Sequence, residues 1–252
     1  MGVYVGDSIY NFCNGADVIP EMTLRFMFSD SSYNPQAAGV GTSGTWRKKL
    51  DTNYNVWDWT NNNSDWSYAF QDAFQDANNE VDIIDCGNTN GVTNLLRFLS
   101  GCSSINSVCL FDTSNVTSIV SAFNGASKIE NLPLFNTQNV TAMGSAFANC
   151  TSLLKIPQLN TSKVTGFGRF AQQCISLKEV PILDTSKANN VEYMFYGCVN
   201  VEGGALDLYT QMSTQTTPPT NFSNCFYICG RDTVTGAAEL AQIPSTWGGT
   251  GA

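Results

Sequence analysis

Ser114-Asn115-Val116-Thr117, Gln138-Asn139-Val140-Thr141 and Ser162-Lys163-Val164-Thr165 are one phrase written three times at equal intervals, starting at 114, 138 and 162. The columns around it keep step. Val108, Leu132, Ile156 and Val180 form one; Phe111, Phe135, Leu159 and Leu183 form another; Ile105, Ile129, Leu153, Leu177 and Val201 form a third. A small-residue column runs Cys102, Ala126, Cys150, Cys174, Cys198. Asp112, Asn136, Asn160 and Asp184 make a polar column, each followed by threonine. Self-similarity at a fixed period means stacked supersecondary units, none of which can bury its own apolar face. The expected architecture is therefore an α/β solenoid.

Within one unit the local physics suggests how it is built. Leu177 to Leu183 has the spacing of a short strand, and strands of successive units should stack into a parallel sheet. Asp184-Thr185-Ser186 turns the chain, its carboxylate bonding nearby N–H groups. A short helix should follow, near residues 189–196, and Ile119 with Phe123 and Met143 with Phe147 are the i, i+4 pairs that would face the sheet. Pro133, Pro157 and Pro181 recur at the same period, so the strands should hold only three or four paired residues.

The chain divides into an arm (1–20), an N-terminal cap (21–80), the repeats (81–205) and a degenerate last repeat with a C-terminal cap (206–252). Val3-Tyr4-Val5, Gly6-Asp7-Ser8 and Ile9-Tyr10-Asn11-Phe12 suggest strand, turn, strand. Leu24, Phe26 and Phe28 alternate with Thr23, Arg25 and Met27, as in a half-buried strand, and further strands are expected over 45–50 and 54–59. Trp66, Ala69, Phe70, Ala73, Phe74 and Ala77 fit one apolar helical face, capped by Ser64 or Asp65. Phe74 lies one full period before Phe98, which makes that helix a degenerate first repeat. After Val201 the register slips: Phe222 to Cys225 echoes Phe195 to Cys198 at a slightly longer interval, and Gly236 to Ile243 reads as a short helix stopped by Pro244.

Composition removes several function classes. The chain of 252 residues carries a net charge of −9, against the basic surface that nucleic acid or an anionic membrane requires. Residues 1–80 hold most of that charge, and the repeats are close to neutral. There is no histidine, so Ser-His-Asp and Cys-His machinery cannot be assembled within the chain. No run approaches 18 apolar residues, so no membrane insertion is expected. Met1 to Asp7 lacks the basic and apolar regions of an export signal, which leaves a chain made in the cytoplasm that stays there or leaves within an assembly. The nine cysteines include no Cys-x-x-Cys pair. Ala126 in the cysteine column marks a slot for a small apolar filler, so these thiols are expected as reduced core, with no metal and no cofactor.

Two surfaces are candidates for binding. Trp57, Trp59 and Trp66 fall within ten residues and could form a glycan-stacking platform, or fill the end of the core. Asn131, Lys155 and Glu179, with Ser107, should point outward from the sheet, and they vary in charge and size while the core columns do not. Asp58 and Asp65 could in principle act as a glycosidase pair, though no spacing singles them out.

The run Leu110 to Thr117, the pairs Ala122-Phe123 and Ala146-Phe147, and Cys150-Thr151-Ser152-Leu153 resemble the BspA-like leucine-rich repeats of surface proteins from gut and oral bacteria and their phages. The likeness covers roughly residues 81–230. It implies a leucine-rich-repeat solenoid with short parallel strands on one face and short helices on the other, used for binding or assembly without catalysis. The arm Val3 to Tyr10 looks like short modules of phage tail and fibre proteins, which allows homo-oligomers through that arm. Asn55-Val56-Trp57-Asp58-Trp59 and Gly236 to Gly249 resemble caps beside such repeats in gut Bacteroidales phages and their hosts. The resulting expectation is a non-catalytic structural or receptor-binding protein of a virion (tail, fibre or capsid surface), with other virion proteins or a host protein or glycan as partners. A bacterial cell-surface adhesin module is the alternative.

Overall fold

The computed structural model describes residues 2–5, 8–11, 22–51 and 53–251, the first two segments as backbone alone. The expected hairpin is formed by β1 (Gly2–Val5) and β2 (Ser8–Asn11), antiparallel, with Val3 opposite Tyr10 and Tyr4 opposite Ile9. The rest of the arm, and residue 21 after it, lie outside the described residues.

One mixed sheet of five strands dominates the N-terminal half. It contains β3 (Thr23–Phe28), β4 (Thr45–Lys48), β5 (Asn55–Thr60), β6 (Val81–Cys86) and β7 (Ile105–Val108), in the order β4-β5-β3-β6-β7. Only β6 and β7 pair in parallel. The three strands expected over 22–60 are present. β3 is central and buried on both faces, not on one as its alternation suggests. Leu24, Phe26 and Phe28 enter the main core with Trp46, Trp57 and Trp59, while Met27, Val56 and Ile84 form a second small cluster. On that second face Arg25 holds Asp58 in a two-point ion pair, Nε–Oδ1 2.7 Å and Nη2–Oδ2 3.0 Å. β1 lies near β6.

The α/β solenoid with helices on one face is not what the repeats form. The described residues contain two short α-helices, α1 (Ala205–Ser213) and α2 (Val234–Leu240), and one 3₁₀ turn (Ser245–Trp247). Neither α-helix lies within the repeat units. The helix expected over 236–243 is present as α2, whereas the two stretches expected as helices at 66–77 and 189–196 are turns and irregular backbone. Their N–H groups alternate between two acceptors. Ala122 and Asn124 bond three residues back, to Ile119 and Ser121; Phe123 and Gly125 bond across to Ala146 and Ala148 of the next unit. An α-helix would send every N–H to the fourth residue back within its own segment.

Left-handed residues enforce this. Ser121, Ser145, Arg169 and Tyr193 have φ near +55°, and Gly125, Asn149, Gln173 and Gly197 repeat the conformation four residues later. A left-handed residue cannot sit inside a right-handed helix. The apolar pairs Ile119/Phe123 and Met143/Phe147 still face the core, as expected, because a run of such turns also returns every fourth residue to one side. Periodicity alone does not separate the two.

The strand side is reduced as well. Beyond β7 the expected parallel ladder survives as single bridges, Asn131 to Lys155 and Glu179 to Gly203. Each lies two residues before a proline position or its equivalent, and Pro133, Pro157 and Pro181 have no N–H with which to extend the pairing. A second series of bridges links Asp65, Asn94, Ser118, Ala142, Gly166, Asn190 and Asn221 in order.

Those bridges also fix the register at the two ends. Tyr68 sends its N–H to Leu96 and Arg97 sends its own to Val120, so Tyr68 and Arg97 are equivalent and the first step is longer than the repeat. Phe74 is therefore not the counterpart of Phe98. Tyr193 bonds to Ser223, which makes Asn224 its counterpart, where the match of Phe222 with Phe195 would have given Thr220. Phe226 and Cys229 continue the Phe195 and Cys198 columns, and Phe195 stacks on Phe226 at 6.3 Å. The helix α1 occupies the insertion. The core is one continuous stack of rings and aliphatics from Trp46 to Trp247. In one unit Phe170-Ala171 replaces the usual Ala-Phe order, and Phe170 still meets Phe147 edge-on at 5.3 Å.

Candidate binding surface

The three tryptophans belong to the core. Trp59 and Trp66 are fully buried and Trp57 nearly so. Each indole N–H is already bonded: Trp57 to Asn55 Oδ1 at 2.9 Å, Trp59 to the Gly41 carbonyl at 2.8 Å, Trp66 to the Asn61 carbonyl at 3.3 Å. Trp59 stands edge-on to Trp66 at 5.2 Å and Trp66 stacks on Phe98 at 5.9 Å. They close the end of the core and offer no free ring face. Asp58 is committed to Arg25, and Asp65 is an exposed residue whose Oδ1 accepts the Ser67 N–H at 2.9 Å.

Asn131, Lys155 and Glu179 behave differently. All three are exposed and lie on successive units. Asn131 bridges Lys155 directly, and the next step is held by the Lys178 N–H on the Leu154 carbonyl at 3.1 Å. The structure thus brings these three together on one face and places the tryptophans inside, away from it.

Beside this face runs a column that the repeat reading left unmarked. Leu110, Leu134 and Ile182 are 61, 63 and 79% exposed, with exposed Gln158 in the remaining slot. The signal was in the sequence. Phe111, Phe135, Leu159 and Leu183 are core, and neighbours on extended chain point to opposite sides. Outward aliphatics in three of four successive units, with Gln158 in the fourth, form an interrupted stripe, unlike singly scattered apolar residues. A second feature is aromatic. Arg169 lies over the Tyr193 ring at 5.4 Å, Tyr193 meets Tyr196 at 5.5 Å, and Tyr196 stacks on Tyr227 at 5.2 Å. The longer step into the last unit hides the Tyr196–Tyr227 relation in the sequence.

The edge of these units is set by short polar turns. Asp112, Asn136, Asn160 and Asp184 accept the N–H two residues on, at 2.8 to 3.2 Å. The Ser186 hydroxyl and N–H beside Asp184 hold its carboxyl below the ordinary value. Asn106 and Lys128 do the same for exposed Glu80. In the interior, burial pushes the thiols of Cys102, Cys150, Cys174 and Cys198 up, that of Cys174 to about 12. Each donates to a carbonyl of the preceding unit at 2.9 to 3.1 Å. These are inert thiols filling a small slot.

The void among Phe123, Phe135, Phe147 and Leu159 holds about 10 Å³ and is apolar, room for one water at most and without polar groups to hold it. Among the described residues, no group of three or more Cys, Asp or Glu is placed to hold a metal, and no helix is long and apolar enough to cross a membrane.

A family profile described as Mycoplasma protein of unknown function, DUF285, matches residues 64–180 and again 129–229. The chain belongs to the DUF285 family. The two overlapping matches cover the turn-built units of this DUF285 protein and stop short of the β-rich cap and α2. Neither a curated protein nor a solved structure matches the chain.

Proposed function

We propose that this DUF285 chain is a non-catalytic protein that presents an extended side surface to a macromolecular partner, as a structural or receptor-binding component of a phage particle. The observation that carries this reading is the exposed face itself. Asn131, Lys155 and Glu179 stand in line on successive units, flanked by Leu110, Leu134 and Ile182, while every column behind them is packed core. A surface assembled by repetition, with residues that differ from unit to unit, suits recognition of a protein or glycan over several units better than it suits chemistry in a cleft. The likeness of Leu110 to Thr117 to the BspA-like repeats supports a binding role, and the likeness of Val3 to Tyr10 to tail and fibre modules supports the particle.

The test has two arms. Mass spectrometry of purified particles encoding this chain should find it in stoichiometric amount, and its absence would sink the particle assignment. Binding of the intact chain to host cells should fall at least tenfold in Lys155→Glu with Glu179→Lys, a pair of exposed changes that leaves the core alone. Binding equal to that of the parent chain would overturn the assignment of this face. The bacterial source in the family description favours a second reading, an adhesin module on a bacterial surface. Surface labelling of cells expressing the native gene distinguishes the two locations.

A further inference from the structure

Eight described cysteines are free, and six of them are sealed in the core. Cys86 and Cys109 are the two exceptions. Both are half-buried. Cys86 ends β6, and Cys109 follows directly on β7, the strand that pairs with β6 in parallel. The Cys109 N–H bonds to the Ile83 carbonyl at 2.7 Å, which holds Cys109 against β6. The Cys86 thiol lies 3.5 Å from the carbonyl oxygen of Leu110, the residue next to Cys109. The two thiols are close enough for each to shift the ionisation of the other. No other cysteine pair among the described residues joins thiol contact to solvent access.

We propose that Cys86 and Cys109 form a reversible disulfide when the protein meets hydrogen peroxide, with Cys86 as the attacking thiol and Cys109 as the resolving one. The roles follow from the asymmetry of the contact. The neighbouring Cys109 draws the Cys86 thiol below its ordinary range, and Cys86, with burial, pushes Cys109 up. The thiolate is the nucleophile, so Cys86 reacts first. Its sulfur attacks one peroxide oxygen, the O–O bond breaks, and the departing oxygen takes up a proton and leaves as water. Cys86 is then a sulfenic acid. The Cys109 sulfur attacks the Cys86 sulfur, the S–O bond breaks, and the hydroxyl leaves with the Cys109 proton as a second water. Two thiols have lost two electrons in total and the peroxide has gained them. The bond closes a loop of one repeat length and pins the first two units together at the sheet edge.

The experiment treats the intact chain with hydrogen peroxide, quenches, alkylates in denaturant and maps peptides without reduction. A Cys86–Cys109 cross-linked peptide is expected, reversed by dithiothreitol, with Cys102, Cys150, Cys174 and Cys198 recovered as alkylated thiols. In Cys109→Ser, whose folding is checked by circular dichroism, dimedone should label Cys86. Should that variant fail to fold, the parent chain treated with peroxide and dimedone together gives the same reading at Cys86. Absence of both the cross-link and the Cys86 adduct, or cross-linking that instead joins core cysteines, would overturn the proposal.

Discussion

Thr161 and Asp184, on successive units, exchange two hydrogen bonds through one hydroxyl: Thr161 Oγ1 donates to the Asp184 carbonyl at 3.0 Å and accepts from the Asp184 N–H at 2.7 Å. Thr89 and Asp112 repeat the arrangement, and Thr113 and Thr137 donate to Asn136 and Asn160 in the same way. These threonines are buried, so the column is a polar seam inside the stack. Thr161→Val keeps the shape and leaves the Asp184 N–H and carbonyl without their hydroxyl partner. It should lower stability by about 1–3 kcal/mol in urea unfolding, whereas Thr161→Ser should recover most of that. Equal stability of the Val and Ser variants would refute the seam.

The cysteine column makes a steric prediction. Ala126 occupies it in one unit, and Cys174 occupies it in another with its thiol on the Phe147 carbonyl at 3.0 Å. Cys174→Ala should cost less than about 1.5 kcal/mol, and Cys174→Leu about 1–3 kcal/mol from overpacking. Thermal melts of the two variants decide it, and the reverse order would show that the slot is larger than its lining implies.

Arg25 and Asp58 are paired across β3 and β5 with both side chains buried, and Lys49 stands 3.8 Å from the same carboxylate. Among the described residues, Arg25→Met leaves Asp58 with the more distant lysine. The expected loss is about 3–5 kcal/mol, and adding Asp58→Leu should restore much of it. A double variant no more stable than Arg25→Met would show that the pair contributes beyond its own neutralisation.

Asp82 carries a pH signature. Burial raises its carboxyl above the ordinary 3.8, and the Ser107 hydroxyl at 2.6 Å opposes the rise. The native state then binds this proton more tightly than the unfolded chain does. The stability it contributes is present in acid and is lost as pH rises through the raised value. Asp82→Asn keeps an oxygen for Ser107 and removes the charge. Its melting temperature should exceed the parent's by a few degrees at pH 7 and by nothing near pH 3. A lower melting temperature at pH 7 would reject the assignment.

The sequence by itself determined the stack. The repeating columns, the small-residue slot at Cys102 to Cys198, the short pairing before each proline and the outward Asn131, Lys155 and Glu179 are all legible, because each depends on what one position does in every unit. The backbone that carries those columns was decided in three dimensions. Ile119/Phe123 spacing serves a helix and a run of turns equally. The turns win because N–H groups such as those of Phe123 and Gly125 find carbonyls on the next unit and residues such as Ser121 and Gly125 adopt left-handed φ. The true steps at the two ends, from Tyr68 to Arg97 and from Tyr193 to Asn224, depend on cross-unit bonds at Tyr68 and Tyr193. Burial of Trp57, Trp59 and Trp66 depends on which side of the sheet the rest of the chain covers. The contact of Cys86 with Cys109 arises only when β6 and β7 lie side by side. A repeat fixes which residues must be equivalent; the partner of each backbone group is settled only when the units touch.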